Sequence, residues 1–172
     1  VVGGQFTSRL NLNLREDKGY TYGARSAIQR FVSAGIHSAS AKVKRETTRP
    51  SIDEFVSELT AITGERPITE ADHGEAIDGL IMGFPGRFER LGSTANQLAF
   101  DAEAGRPAGW LPQWPDRLRE VKLTQARAAA TRHAQLDEFA LVVVGDLSAY
   151  RDELEALGRP LVVCDAEARC TR

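Results

Sequence analysis

Apolar positions at helical spacing open the chain. Phe6, Leu10 and Leu14 recur every four residues, which predicts an amphipathic helix running to Arg15 or just beyond. Gly19 is the expected stop, because glycine takes positive φ without steric cost, and Tyr20, Thr21 and Tyr22 then begin a β-prone run. Residues 20–30 alternate imperfectly. Residues 35–43 (GIHSASAKV) place Ile36, Ser38, Ser40 and Lys42 on one face and His37, Ala39, Ala41 and Val43 on the other. The interval from Val32 to Gly35 is short enough for an antiparallel hairpin. The small residues of the second run imply that something packs closely over it.

Helical patterns follow. Thr48 or Ser51 caps a helix with Pro50 in its first turn and an apolar stripe of Ile52, Phe55, Val56, Leu59 and Ile62. Thr69 caps the next, with Glu70 and Asp72 near the positive end of its dipole and Ala76, Ile77, Leu80 and Ile81 on its buried side. Gly83, Pro85 and Gly86 punctuate the chain before another helix from about Ser93 to Ala102. Residues 105–115 read as an ordered loop, since Trp110 and Trp114 need somewhere to bury their rings. Thr124 opens an alanine-rich helix to about His133. Residues 139–144 (FALVVV) form the strongest strand signal of the chain; apolar on both faces, they are expected at the centre of the sheet. A helix from Ser148 to Leu157 and a short strand over 161–164 complete the pattern. Together these elements predict an α+β fold, a mainly antiparallel or mixed sheet with helices packed on one face.

Composition narrows the function classes. The 172 residues, 42% apolar and 27% charged, suffice for one globular domain or a large piece of one. A formal charge of −2, with arginines interspersed among acids, argues against a nucleic-acid binder. Cys164 and Cys170 can either close a small loop or stay free, and no apolar run is long enough for a spanning helix. The chain opens on VVGGQF without an initiator methionine, so it reads as a partial domain lacking its N-terminal portion.

The stretch GGQFTSRLNLNLREDKGYTYGARS resembles the second-domain signature of the pitrilysin/insulinase family of zinc metallopeptidases. The resemblance continues through GLIMGFPGRFE (79–89) and from Val121 to ALVVVGD (140–146). It implies that this is the half that does not bind zinc. The catalytic pair it implies is Arg15 and Tyr22, seven positions apart, which help hold a peptide and its oxyanion near a zinc carried by a partner half. That partner, a domain or a separate subunit, bears H-x-x-E-H plus a later glutamate. Alone, the present chain is expected to be inactive. Bacterial relatives are often periplasmic or exported.

The residues themselves are compatible with those roles. A phenol donates to a developing oxyanion, and a guanidinium makes bidentate contacts that an ammonium cannot copy. Bare sequence also allows plainer roles, an arginine compensating a helix dipole and a tyrosine packing in a strand. Of the three histidines, His37, His73 and His133, none has another three or four positions away, so no metal is expected on this chain. Asp72, His73 and Glu75 point in different directions on a helix and read as a polar face. No G-x-S-x-G elbow is present, and VVVGD lacks a phosphate-binding glycine loop. Phe84 and Phe88 read as core. Two rival readings stay open: a non-catalytic structural or peptide-binding member of the same fold, like a respiratory-complex core protein, and an unrelated α+β binding domain.

Overall fold

The computed structural model describes residues 1–31 and 33–171; Val32, part of the predicted hairpin connection, lies outside them. The first helix begins where the apolar spacing places it but is not regular. A short α-helical segment, α1 (Arg9–Asn11), passes into a π-helical turn over Leu12–Asp17. The Lys18 N–H reaches back five residues to the Asn13 carbonyl at 3.0 Å, where an α-helix would reach back four. Gly19 then takes φ +63° and the Tyr20 N–H closes on the Leu14 carbonyl at 2.9 Å, so the expected breaker does end the helix.

Strands β1 (Thr21–Arg30) and β2 (Gly35–Val43) form an antiparallel hairpin whose register runs from Arg30 opposite Gly35 to Thr21 opposite Val43. The two faces of β2 are as the alternation predicts: His37, Ala39, Ala41 and Val43 are half-buried, and the other four are exposed. The small inner residues admit a close neighbour. Leu10, Leu14 and Ala24 are buried together, with Ala39, Ala41 and Phe55 against them. Gly3 is pressed onto β1 so tightly that a Cβ there would lie 2.3 Å from the Ser26 nitrogen, while its carbonyl accepts the Ser26 N–H at 2.9 Å.

Helix α2 (Thr48–Ala61) is the spine of the packing. Phe55 joins the Leu10–Leu14 cluster, Ile52 packs with Tyr150 and Leu154, and Ile62, just past its end, packs with Ile68 and Ala134. Then come α3 (Glu70–Met82), α4 (Leu91–Glu103), α5 (Trp114–Arg119), α6 (Leu123–His133) and α7 (Arg151–Glu155). Thr69 caps α3 as predicted, in a reciprocal pair with Asp72. The expected buried side of α3 is only half-covered, and Leu80 is exposed. Helix α6 starts one residue earlier than predicted, with the Gln125 side chain accepting the Lys122 N–H at 2.8 Å. The helix expected over 148–157 reduces to a 3-10 turn (Leu147–Ala149) and α7.

The tryptophans find partners by stacking. Trp114 lies face to face with Phe84, centroids 4.9 Å apart, and Arg117 sits 4.3 Å over the Trp110 ring. Trp114 opens α5 rather than staying in a loop. Cys164 and Cys170, left open by the sequence, are bonded to each other across a two-stranded ribbon of β3 (Val163–Cys164) and β4 (Cys170–Thr171).

The architecture is α+β with antiparallel sheet, as predicted. One central expectation fails. Residues 139–144 form no ladder with any described strand, and Leu141, Val142 and Val144 are 47%, 79% and 94% exposed. Apolar faces on both sides of a segment mark it for an interior position, but only backbone partners on its edges can make it a strand. Among the described residues no such partner is present.

Candidate functional site

Arg15 lies within the π-helical turn. Leu14, before it, is fully buried, whereas the Arg15 side chain is 36% exposed. Its guanidinium carbon lies 4.4 Å from the centre of the Phe6 ring, and Glu16 is 3.5 Å away. Phe6 therefore does not belong to the helix stripe. It is 61% exposed and supports the guanidinium through its ring face. A guanidinium stacked in this way keeps its N–H edge available for in-plane bonds to a carbonyl or carboxylate.

Tyr22 is 99% exposed. The register slips between Thr21 and Ala24, and this β-bulge turns Tyr22 outward. Thr21 pins the bulge: its hydroxyl donates to the Lys42 carbonyl at 2.6 Å and accepts the Gly23 N–H at 3.1 Å. Neither candidate is sealed in the core.

Asn11 links the two supports. It is buried at 4% exposure; its amide nitrogen donates to the Phe6 carbonyl at 2.8 Å and its oxygen accepts the Ala24 N–H at 3.1 Å. One side chain thus holds both the residue under Arg15 and the strand just past Tyr22. Sequence reasoning missed Asn11 and placed Phe6 on the helix stripe. The only signal was an asparagine inside a predicted helix, where its propensity is poor and a specific hydrogen bond is the usual compensation. Replacing Asn11→Ala leaves the Ala24 amide buried without a partner and is expected to cost about 1–3 kcal/mol in chemical unfolding.

Behind the turn, Asn13 donates to Glu54 and Glu58 at 2.9 and 2.8 Å, and the buried Glu58 is paired with Arg66 at 2.8 Å. The Glu58 hydrogen bond and charge raise the Arg66 pKa. Arg9, on the same helix, bonds the carbonyls of Arg66 and Pro67 and lies 2.7 Å from Asp72. Burial pushes the Asp72 carboxyl up, but the Thr69 backbone amide, Arg9 and the Thr69 hydroxyl outweigh it and bring the pKa below the ordinary value. Asp72 is thus a cap and an ion-pair partner. The helix carrying Arg15 is clamped on both flanks.

No group of three or more His, Cys, Asp or Glu side chains that could hold a metal ion occurs among the described residues. His37 contacts the Ser26 hydroxyl at 2.9 Å and the His133 carbonyl at 3.2 Å, its ring edge-on to Phe139. These residues do not fit a zinc site. Nor is any helix among the described residues long and apolar enough to cross a membrane.

Comparison with known proteins bears on the fold. Residues 1–80 match the family model described as the peptidase M16 inactive domain. No curated protein matches the chain by sequence. Among solved structures, the fold is similar to the peptidase M16 inactive domain from Pseudomonas fluorescens, with a TM-score of 0.68 at 20% identity over 80% of this chain and 33% of that one. A conserved protein from Enterococcus faecalis V583 is similar with a TM-score of 0.62 at 19% identity, over 76% of this chain and 30% of that one. A protease from Helicobacter pylori gives 0.58 at 16% identity, over 77% and 32%. The chain spans about a third of the length of the solved structures it matches. Residues 1–80, which carry Arg15 and Tyr22, are thus similar to the peptidase M16 inactive domain, and the α+β fold is similar to that of the solved inactive domain.

Proposed function

We propose that this chain is the substrate-holding half of a zinc-dependent endopeptidase and that a partner half bearing H-x-x-E-H carries the metal. The observation that supports this most is that Arg15 and Tyr22 both reach the surface, with Asn11 bonding the Phe6 and Ala24 backbones beside them, within the residues that match the family model. Zinc bound in the partner half supplies the activated water. The part left to this chain is electrostatic and positional. The Arg15 fork grips a peptide carbonyl or carboxylate, and the Tyr22 hydroxyl donates to the oxygen that gains negative charge as the carbonyl becomes tetrahedral.

The experiment is Arg15→Lys in the complete peptidase. Lysine retains the charge but loses both the planar fork and the stack on Phe6, so kcat/KM is expected to fall by about tenfold or more. If peptide turnover is unchanged, Arg15 has no gripping role. If the complete protein cleaves no peptide even with the native residues, the non-catalytic reading of the fold holds instead.

A further inference from the structure

The hairpin of β1 and β2 has two faces of opposite character. On one, Ala24 is buried with Leu10 and Leu14, and Ala39 and Ala41 pack against that cluster. The alternate positions lie on the other face, where Arg25 stands opposite Ser40, Ala27 opposite Ser38 and Gln29 opposite Ile36. All six are exposed.

Tyr22 opens onto the same outer face. Thr21 pairs with Val43 and Ala24 with Ala41, so Lys42 is the one residue opposite the bulge of Tyr22 and Gly23. Its neighbours Ala41 and Val43 are half-buried, whereas Lys42 is exposed. A cation thus stands across the strand pair from the phenol, about 5 Å away in the sheet, and Arg25 follows about 10 Å along β1. Neither is ion-paired among the described residues, although Arg9, Arg49, Arg66 and Arg119 each hold a carboxylate within 3.0 Å. The local sequence explains why. From Lys18 to Arg45 the chain carries Lys18, Arg25, Arg30, Lys42, Lys44 and Arg45 but no aspartate or glutamate, in a protein whose formal charge is −2.

Unpaired cations beside a hydrogen-bond donor favour negative charge in whatever lies over that face. We infer that Arg25 and Lys42 are specificity-determining residues, which select polypeptides with aspartate or glutamate within about three residues of the carbonyl presented to Tyr22. The inference rests on the role proposed for Tyr22 for its placement beside the reacting bond. Ala27, Ser38 and Ser40 are small and keep the face flat, so an extended segment fits over it with every second side chain directed at the sheet. The Arg25 fork suits a carboxylate bidentately. Two cations are too few for a nucleic-acid strand, which needs a longer basic track.

The test is fluorescence anisotropy with the complete natural protein, a chelator being present to stop turnover. A labelled peptide of about ten residues alternating threonine and glutamate is expected to bind about fivefold more tightly than its threonine–glutamine counterpart at low salt, and the difference to shrink as salt is raised. Arg25→Gln and Lys42→Gln are each expected to lower that ratio about twofold, and together to bring it near one. Both side chains are exposed, so the variants keep the fold. Arg132→Gln, which removes an exposed charge on α6, is expected to leave the ratio unchanged. Equal affinity for the two peptides, or an equal effect of Arg132→Gln, would overturn the inference while leaving the peptidase reading standing. A protein that cleaves no peptide without chelator but keeps the charge-dependent binding loses the peptidase reading and retains the acidic-peptide face.

Discussion

With the role proposed for Tyr22, Tyr22→Phe in the complete protein is expected to lower kcat for peptide hydrolysis on the order of tenfold to a thousandfold while leaving the unfolding transition in place. The two halves of that expectation have separate causes. The ring of Tyr22 is 99% exposed and its hydroxyl makes no hydrogen bond among the described residues, so removing one oxygen takes nothing from the fold. Exposed substitutions of this kind stay within about 0.5 kcal/mol. A rate loss therefore reports a contact made only when substrate is present, and KM is expected to change less than kcat because the donor matters most when charge has built up on the carbonyl oxygen. Thermal denaturation and steady-state kinetics on one preparation check both. A variant with full turnover, or one that loses stability in step with activity, removes Tyr22 from the mechanism.

Leu14→Ala is expected to produce the largest loss of stability, about 2–5 kcal/mol. Leu14 is fully buried and packed with Leu10 and Ala24, and its carbonyl accepts the Tyr20 amide that closes the turn. Removing the side chain opens a cavity where the helix, β1 and α2 meet, and relaxation there shifts the residue next to it, Arg15. The urea midpoint should drop with little change in slope, and activity should fall even where the protein remains folded. A loss below about 1 kcal/mol would mean that the site collapses onto the cavity and that Leu14 is not what fixes the turn.

The sequence carried the signals that local physics controls. Gly19 announced a helix stop because few residues tolerate φ +63°, and Thr69 with Asp72 announced a cap because their side chains satisfy amides three residues apart. The alternation in GIHSASAKV gave both faces of β2. What it could not carry was pairing. FALVVV reads as an interior strand from its own residues, but forming a strand takes an edge from elsewhere in the polypeptide, which no local pattern contains. The site divides the same way. Arg15 and Tyr22 stood out through resemblance, whereas the Phe6 ring under the guanidinium and the two bonds of Asn11 arise from a bulge and a widened turn that leave no mark in spacing.

The widened turn also makes the length of this stretch as restrictive as its composition. Each residue advances a helix by about 100°, so deleting a single position between Leu12 and Asp17 would let the backbone snap back to ordinary winding and swing the guanidinium roughly a quarter-turn off the phenyl ring. A homologue could keep the arginine, the tyrosine and every core leucine and still lose the alignment through one missing codon. Indels in this segment, more than point changes, are therefore where the stack of the guanidinium on the Phe6 ring would come apart.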